Sequence, residues 1–99
     1  MLFSIFVLAS FYHEPQPQAC GGRFNPEAMT AAHKTLPCGT LLRVTNPRNY
    51  RSVVVKITDR GPYIKGRSLD LSLAAARQLG MLDAGVIIVE IEHISNLGG

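Results

Sequence analysis

The sequence lacks several features that would place it in common functional classes. Its two cysteines and three histidines have neither the number nor the spacing of a zinc site. Its N-terminal apolar stretch, residues 2–9, is too short to span a membrane as a helix. It has no internal repeat, no basic helix and no aromatic-rich RNA-binding pattern. We therefore expect no metal site, no transmembrane span and no nucleic-acid partner.

Acidic residues are almost absent from the middle of the chain. Between residues 34 and 67 there is one acid, Asp59. The eight basic residues of this region are Lys34, Arg43, Arg48, Arg51, Lys56, Arg60, Lys65 and Arg67. Such a belt suits an anionic polymer, for example a carboxylated glycan, a nucleic acid or an acidic lipid surface. The alternative is that these residues only solvate the outer face of a small sheet.

Length and composition favour one small globular domain. The chain has 99 residues, of which 46% are hydrophobic and 17% charged. Cys20 and Cys38 both lie beside glycine in loop sequences, where a disulfide or two free buried thiols are the alternatives. We favour the disulfide, which would contribute about 3 kcal/mol, because the apolar N-terminus suggests export. Residues 1–8 are accordingly interpreted either as a signal-peptide remnant or as the result of a misassigned translation start.

Hydrophobic alternation predicts several short strands and one helix. The predicted strands cover residues 9–13, 28–33, 40–46, 51–59, 68–72 and 85–94, with 40–46 and 51–59 forming a hairpin. Ser72 is predicted to cap a helix that ends at Gly80. In the hairpin, Tyr50 stands where a glycine is favoured, so a longer loop or a left-handed tyrosine is expected. Residues 96–99 are read as a tail. The pattern predicts an all-β protein built as a small closed barrel.

Asp59 ends the strand "RSVVVKITD" and raises the question of whether it is a catalyst or a brace. Side chains alternate along a strand, so Asp59 shares the face of Val53, Val55 and Ile57. Apolar neighbours favour the protonated form of a carboxyl group, which a general acid needs. The structural alternative is that Asp59 accepts backbone N–H bonds in the turn that begins at Gly61-Pro62.

Four segments in order identify a family resemblance: "MTAAHKTLPCGT", "LRVTN", "RSVVVKITDRGPYIKGRSLDLSLAAARQLGM" and "GVIIVEIE". They resemble the rare lipoprotein A family of bacterial septal lytic transglycosylases, over residues 9–94. The resemblance implies a six-stranded double-psi β-barrel domain at residues 9–95, acting on peptidoglycan in the periplasm, the cell envelope or outside the cell. It implies no cofactor, and we expect a monomer whose partner is the peptidoglycan glycan strand.

The resemblance also implies a set of site residues. The aspartate of "DRGP" falls on Asp59 and the histidine of "TAAH" on His33, both catalytic candidates, and Asp70 in "SLDLS" is a third. Asp70 could instead brace the passage from strand to helix, and His33 could hold its loop through a backbone bond. Candidate glycan-binding residues are Arg60, Tyr63, Lys65 and Arg67, since tyrosine stacks on sugars and cations meet muramic acid carboxylates.

One departure from the family pattern bears on the chemistry. Family members carry a glutamate before "TAAH", and Gly22 stands at that position. Glu27 could replace it only with a different loop arrangement. A lytic transglycosylase can work with one carboxylate, because the sugar's own 6-hydroxyl attacks the anomeric carbon. The leading hypothesis is therefore an endolytic transglycosylase that cleaves the MurNAc-GlcNAc β-1,4 bond, with Asp59 as acid and base. The alternatives are a non-catalytic glycan-binding or expansin-like wall-loosening module and a protein-binding effector.

Overall fold

The computed structural model describes residues 4–12 and 17–94, which form six strands and one helix. The elements are β1 (Ser4–Tyr12), β2 (Thr30–Ala32), β3 (Leu41–Thr45), β4 (Ser52–Asp59), β5 (Arg67–Ser72), α1 (Leu73–Leu79) and β6 (Ile87–Ile94). The strands close into a barrel in the order β1-β5-β2-β4-β3-β6. The prediction of a six-stranded barrel with one short helix is confirmed.

The barrel is mixed, because its strands do not all pair in chain order. The pairs β1–β5 and β2–β4 are parallel, whereas β2–β5, β3–β4, β3–β6 and β1–β6 are antiparallel. Closure gives each of the six strands a hydrogen-bonded partner on both sides over at least part of its length. The largest fully buried side chains of the interior are Leu42, Ile57, Leu69, Leu71, Leu79 and Met81.

The alternation predicted for β4 is confirmed residue by residue. Its odd-numbered side chains from Val53 to Ile57 point into the core and are at most 7% exposed, and Asp59 continues that row. The side chains between them face outward or lie at the surface. Asp59 is thus carried to the end of the barrel by the same period of two that buries the valines.

The helix begins and ends where the sequence predicts. The hydroxyl of Ser72 accepts the backbone N–H of Ala75 and donates to the carbonyl of Ala28. Gly80 ends the helix with φ of 70°, and its N–H reaches the carbonyls of the last turn. Ser72 therefore caps α1 and also ties it to the segment before β2.

The first strand begins earlier than predicted. It starts at Ser4 rather than Ala9, and residues 4–9 pair with Ile87–Glu92 of β6. The continuous apolar run of residues 5–9 carries no alternation, so periodicity could not distinguish a strand from a signal segment. The signal-remnant interpretation of residues 1–8 stays a prediction, and residues 1–3, His13 and the tail at 96–99 lie outside the described residues.

Tyr50 takes the left-handed conformation considered for it, with φ of 62°. An L-residue in this region costs about 1–2 kcal/mol, and Tyr50 is 86% exposed, so its ring recovers little of that cost. We expect Tyr50→Gly to raise the free energy of unfolding by about 0.5–1 kcal/mol, after allowing for the greater freedom of unfolded glycine. Denaturant unfolding measures this. Arg48→Gly, in the same turn without a positive φ, should lower stability, and a loss in both variants would contradict the explanation.

Candidate active site

Cross-strand register brings two carboxyl groups into one row. Ser10 of β1 pairs with Asp70 of β5, Asp70 with Ala32 of β2, and Ala32 with Asp59 of β4. Neighbouring strands lie about 4.8 Å apart, so Asp59 and Asp70 are separated by the width of one intervening strand. The residue between them is Ala32, whose small side chain leaves room above the row.

This row forms the floor of an open groove of about 330 Å³. The groove is lined by Ser10, Phe11, Tyr12, Ala32, Asp59, Arg60, Gly61, Pro62, Tyr63, Ile64, Arg67 and Asp70. A concave site with a few convergent polar groups is the usual form of a small-ligand site. Of the three predicted catalytic residues, Asp59 and Asp70 line it and His33 does not.

Asp59 is held rigidly by backbone donors. Its Oδ1 accepts the N–H of Ala19 at 2.8 Å and the N–H of Arg60 at 2.9 Å. Within the described residues its Oδ2 accepts no hydrogen bond, although the residue is only 7% exposed. The structure thus shows the bracing role that the sequence left open, and the catalytic role of Asp59 stays a prediction. One oxygen braces the turn, and the carboxylate still lines the groove.

The surroundings of Asp70 shift the pKa of its carboxyl group. Its Oδ1 accepts the hydroxyl of Ser10 at 3.0 Å. Burial raises the pKa of Asp70 and the charge of Asp59 adds to this rise, against the lowering effects of Ser10 and Arg67. Two carboxyl groups in unlike environments are a common arrangement in enzymes that cleave glycosidic bonds.

Tyr12 extends the site at the end of β1. Its ring stacks on Phe24 with centroids 4.3 Å apart. Its hydroxyl is buried and has no hydrogen-bond partner within the residues the structure describes. Burial, followed by the charge of Asp59, raises the pKa of Tyr12 to about 12, so the phenol stays protonated at neutral pH. It is therefore a donor, never an anion, beside the two carboxyl groups.

His33 lies beside the groove but its imidazole serves its own loop. The ring Nδ1 accepts the backbone N–H groups of Thr35 and Leu36, each at 3.1 Å. Its ring lines a separate apolar depression with Ile5 and His93 among others. Its link to Asp59 is through the backbone, from His33 N–H to the Asp59 carbonyl at 3.1 Å. This matches the structural alternative for His33, and no imidazole contact with the Asp59 carboxylate occurs among the described residues.

The environment of His33 predicts a pH-dependent stability. Burial, and then the charges of Arg60 and Lys34, lower the pKa of His33. The folded state therefore binds fewer protons than the unfolded chain. The part of the unfolding free energy that comes from the neutral form of His33 is fully present above about pH 6.5 and is lost as the pH falls below it. We expect His33→Asn, whose Oδ1 can accept the same N–H groups, to reduce the drop in unfolding free energy between pH 7.5 and 5.5. His93→Asn is the control, and equal drops in wild type and His33→Asn would contradict the prediction.

The predicted glycan-binding residues divide by position. Tyr63, which is 79% exposed, and the half-buried Arg67 line the groove, whereas the exposed Lys65 lies outside its lining. Arg60 lines the groove as well, but its Nη1 donates to the carbonyls of His33 and Leu36 at 3.0 and 2.7 Å. Arg60 is thus bound to a loop, and Arg67 is the groove cation whose guanidinium donates no hydrogen bond to a side chain or carbonyl among the described residues.

No described acid replaces the family glutamate. Gly22 lies in an exposed loop with φ of 75°, outside the groove lining. Glu27 pairs with Arg77 of α1 at 3.0 Å and also lies outside that lining. Within residues 4–12 and 17–94 no cluster of His, Cys, Asp and Glu side chains is suited to a metal ion. Among the described residues, the carboxyl groups that line the groove are therefore those of Asp59 and Asp70.

Two groove residues were not predicted from the sequence. Ser10 and Tyr12 sit two apart on β1, so the period of two places them on one face of the strand. The sequence "ASFY" shows that Ser10 and Tyr12 lie on the same face of a strand. Their place in the groove, however, depends on the parallel pairing of β1 with β5. That pairing joins residues 60 apart in sequence, and local periodicity does not report it.

Comparison with known proteins agrees with this description. Residues 5–91 match the family described as lytic transglycolase. The chain is 60% identical over 90 residues to a probable endolytic peptidoglycan transglycosylase RlpA of Nostoc sp., covering 86% of this chain and 24% of that protein. It is 50% identical over 90 residues to the endolytic peptidoglycan transglycosylase RlpA of Pasteurella multocida, covering 88% and 31%. The chain thus spans about a quarter to a third of the length of these relatives.

Solved structures share the fold at lower identity. An apo expansin of Clavibacter michiganensis superposes with a TM-score of 0.78 at 25% identity, over 98% of this chain and 53% of that one. A Streptomyces papain inhibitor gives a TM-score of 0.78 at 23% identity, over 94% and 96%. The matched family, the sequence relatives and the barrel agree with the motif resemblance. The chain therefore belongs to the lytic transglycolase family and carries an RlpA-like double-psi β-barrel domain.

Proposed function

We propose that this domain is an endolytic lytic transglycosylase that cleaves the MurNAc-GlcNAc β-1,4 bond of peptidoglycan and so remodels the cell wall. The observation that carries the proposal is the pair of carboxyl groups in one open groove, with burial raising the pKa of Asp70. The names of the relatives at 50–60% identity support the same reaction class. No cofactor is needed for this chemistry.

The environments of the two carboxyl groups suggest how the work is divided. Asp70, whose pKa is raised by burial, protonates the glycosidic oxygen as the bond to the anomeric carbon of MurNAc breaks. The fixed carboxylate of Asp59 stabilises the positive charge that develops on that sugar. The 6-hydroxyl of the same sugar then attacks the anomeric carbon. The proton of this hydroxyl passes to Asp70, which is protonated again. The products are a 1,6-anhydro end and a new GlcNAc hydroxyl, with no water consumed.

This division modifies the role expected for Asp59 from the sequence. Asp59 alone was expected to act as acid and base, with His33 and Asp70 in support. Oδ1 of Asp59 is occupied by two N–H donors, while Asp70 has the raised pKa. We therefore assign proton transfer to Asp70 and electrostatic stabilisation to Asp59. His33 is a positioning residue that orders the loop after β2.

Substrate binding is assigned to the rim of the groove. The exposed ring of Tyr63 offers a face on which a sugar can stack. Arg67 lies beside it in the groove and suits the carboxylate of the muramic acid lactyl group. Lys65, outside the lining, is at most a more distant contact.

The proposed location is the periplasm, the cell envelope or the cell exterior, and the proposed assembly state is a monomer. Peptidoglycan lies outside the cytoplasmic membrane, and the Cys20–Cys38 disulfide is typical of such compartments. No helix formed by the described residues is long and apolar enough to cross a membrane.

A non-catalytic glycan-binding or wall-loosening module is the second candidate. It is favoured by the absence of the family glutamate at Gly22 and by the two backbone donors on Asp59. A Clavibacter michiganensis expansin, in which the matched fold covers 53% of the chain, is described in complex with cellohexaose. Both candidates use the same groove and differ only in whether a bond is broken.

Digestion of peptide-stripped glycan strands in heavy-oxygen water separates the candidates. A transglycosylase forms 1,6-anhydromuramic ends by internal attack, so mass spectrometry should find anhydro products with no incorporated label. A hydrolase would give reducing ends that carry the label. Glycan capture without any new ends would instead favour the binding module.

A further inference from the structure

Two loops enclose the end of β4 where Asp59 lies. The first, the 17–23 loop, meets β4 through three hydrogen bonds. The Gln18 side chain donates to the hydroxyl of Thr58 at 2.8 Å, the Cys20 N–H donates to the Thr58 carbonyl at 3.1 Å, and the Ala19 N–H donates to Oδ1 of Asp59 at 2.8 Å. The 17–23 loop therefore supplies one of the two donors that fix the Asp59 carboxylate.

The second, the 33–40 loop, approaches from the other side. The His33 N–H donates to the Asp59 carbonyl at 3.1 Å, and the Gly39 N–H donates to the Ile57 carbonyl at 2.8 Å. The guanidinium of Arg60 binds the carbonyls of His33 and Leu36. Its Nη2 also lies 3.6 Å from Sγ of Cys38. This loop is thus anchored to β4 and to the residue that follows Asp59.

The Cys20–Cys38 disulfide joins the two loops across this point. Cys20 follows directly after Ala19, the donor to Asp59. The residues of the 17–23 loop are exposed or only partly buried, so little apolar packing holds this loop in place. The covalent link to the 33–40 loop therefore adds a restraint to the three hydrogen bonds that hold the 17–23 loop against β4.

We propose that the Cys20–Cys38 disulfide positions the active site by holding the Ala19 amide against the carboxylate of Asp59. Cys20 and Cys38 are positioning residues in this proposal, which rests on the proposed transglycosylase function. Without the disulfide, the 17–23 loop moves away from β4 for part of the time. Asp59 then keeps the Arg60 amide but loses the second donor, and its Oδ2 is no longer fixed toward the groove.

The test is the double variant Cys20→Ser/Cys38→Ser, measured on peptide-stripped glycan strands and normalised to folded protein. Loss of one hydrogen bond to a charged group corresponds to about tenfold or more in rate, so we expect kcat to fall about tenfold with KM little changed. Hydrogen exchange of the Ala19 amide should accelerate by at least the same factor. In the Asp59→Asn background the cysteine substitutions should cause no further loss of rate.

Two further variants separate positioning from general stability. Val44→Ala destabilises the core on β3, away from the groove, and should leave kcat per folded molecule unchanged. Ala19→Pro removes the donor while keeping both cysteines and should reproduce the tenfold loss. Unchanged kcat in the cysteine variant, or an equal loss in the Asp59→Asn background, would overturn the proposal.

Failure of the proposed function gives a different result. If wild type forms no new glycan ends, the transglycosylase assignment fails. The exchange rate of the Ala19 amide still decides whether the disulfide holds this donor in place. An unchanged exchange rate in the cysteine variant would overturn the positioning role regardless of activity.

Discussion

Asp70→Asn should almost abolish the release of anhydro ends and at the same time raise the stability of the protein. An asparagine cannot protonate the glycosidic oxygen, and loss of a general acid typically costs 100-fold to 10,000-fold in rate. The shape of the site is retained, because the Ser10 hydroxyl that now reaches Oδ1 of Asp70 can donate equally to an amide oxygen.

The stability gain follows from the direction of the Asp70 pKa shift. Burial raises the pKa of Asp70, so the folded state binds this proton more tightly than the unfolded chain. The stabilisation is complete below the unfolded pKa and is lost as the pH rises through the folded pKa, because the carboxylate that then forms is partly buried and charged. Asparagine removes that charge, so the melting temperature at pH 7 should rise and the difference from wild type should vanish in acid.

Thermal unfolding at pH 7 and at low pH, alongside glycan digestion, measures both effects. Asp83→Asn is the matched control, since Asp83 is exposed and lies outside the groove lining. It should change neither activity nor stability appreciably. A stable, active Asp70→Asn protein would remove Asp70 from the mechanism, and an inactive but destabilised one would make it a structural brace.

Asp59 is expected to give a different result with each of two substitutions. Asp59→Asn keeps an oxygen for the Ala19 and Arg60 N–H groups but removes the negative charge, so we expect a loss of activity of at least about 100-fold with a small change in stability. Asp59→Ala also leaves both donors without their acceptor. It should lose the same activity and, in addition, about 1–3 kcal/mol of unfolding free energy.

Comparing these two variants separates the brace from the catalyst. Activity is followed by the release of anhydro ends and stability by denaturant unfolding, with glycan capture as the check on binding. If Asp59→Asn retained wild-type activity while Asp59→Ala unfolded readily, Asp59 would be only a brace. Equal stability of the two variants would contradict the role assigned to its hydrogen bonds.

Local sequence patterns predicted the features that depend on a single strand, helix or loop. The period of two along β4 placed Asp59 on the buried face, because each side chain there depends only on its own strand. Ser72 and Gly80 marked both ends of α1, since capping is a matter of nearest backbone groups. The disulfide was predicted from two loop cysteines, and it is present.

Contacts between strands that are far apart in the sequence could not be predicted from local patterns. The row from Ser10 to Asp59 exists because β5 lies between β1 and β2, an order that does not follow the chain. For this reason Ser10 and Tyr12 were missed. The sequence also left two roles open for His33, and the structure shows the loop-holding one, because its ring accepts the N–H groups of Thr35 and Leu36. Motif position located His33 near the site but did not fix the direction of its side chain.

Two groups in the groove lower the stability of the folded protein. A half-buried acid at Asp70 and the buried hydroxyl of Tyr12, which has no hydrogen-bond partner in the described part of the chain, both lower stability relative to apolar side chains, and both lie where the chemistry is proposed. The interior below them is apolar and well buried, so the barrel can tolerate these groups at its rim.

The most direct measurement compares wild type with Asp70→Asn on the same peptide-stripped glycan strands, counting 1,6-anhydromuramic ends per folded molecule by mass spectrometry. The mechanism predicts steady release by wild type and at least about a 100-fold lower rate for the variant, with glycan capture unchanged in both. Equal release by the two proteins would contradict the assignment of Asp70 as the acid. Capture without release by either would contradict catalysis in this groove altogether.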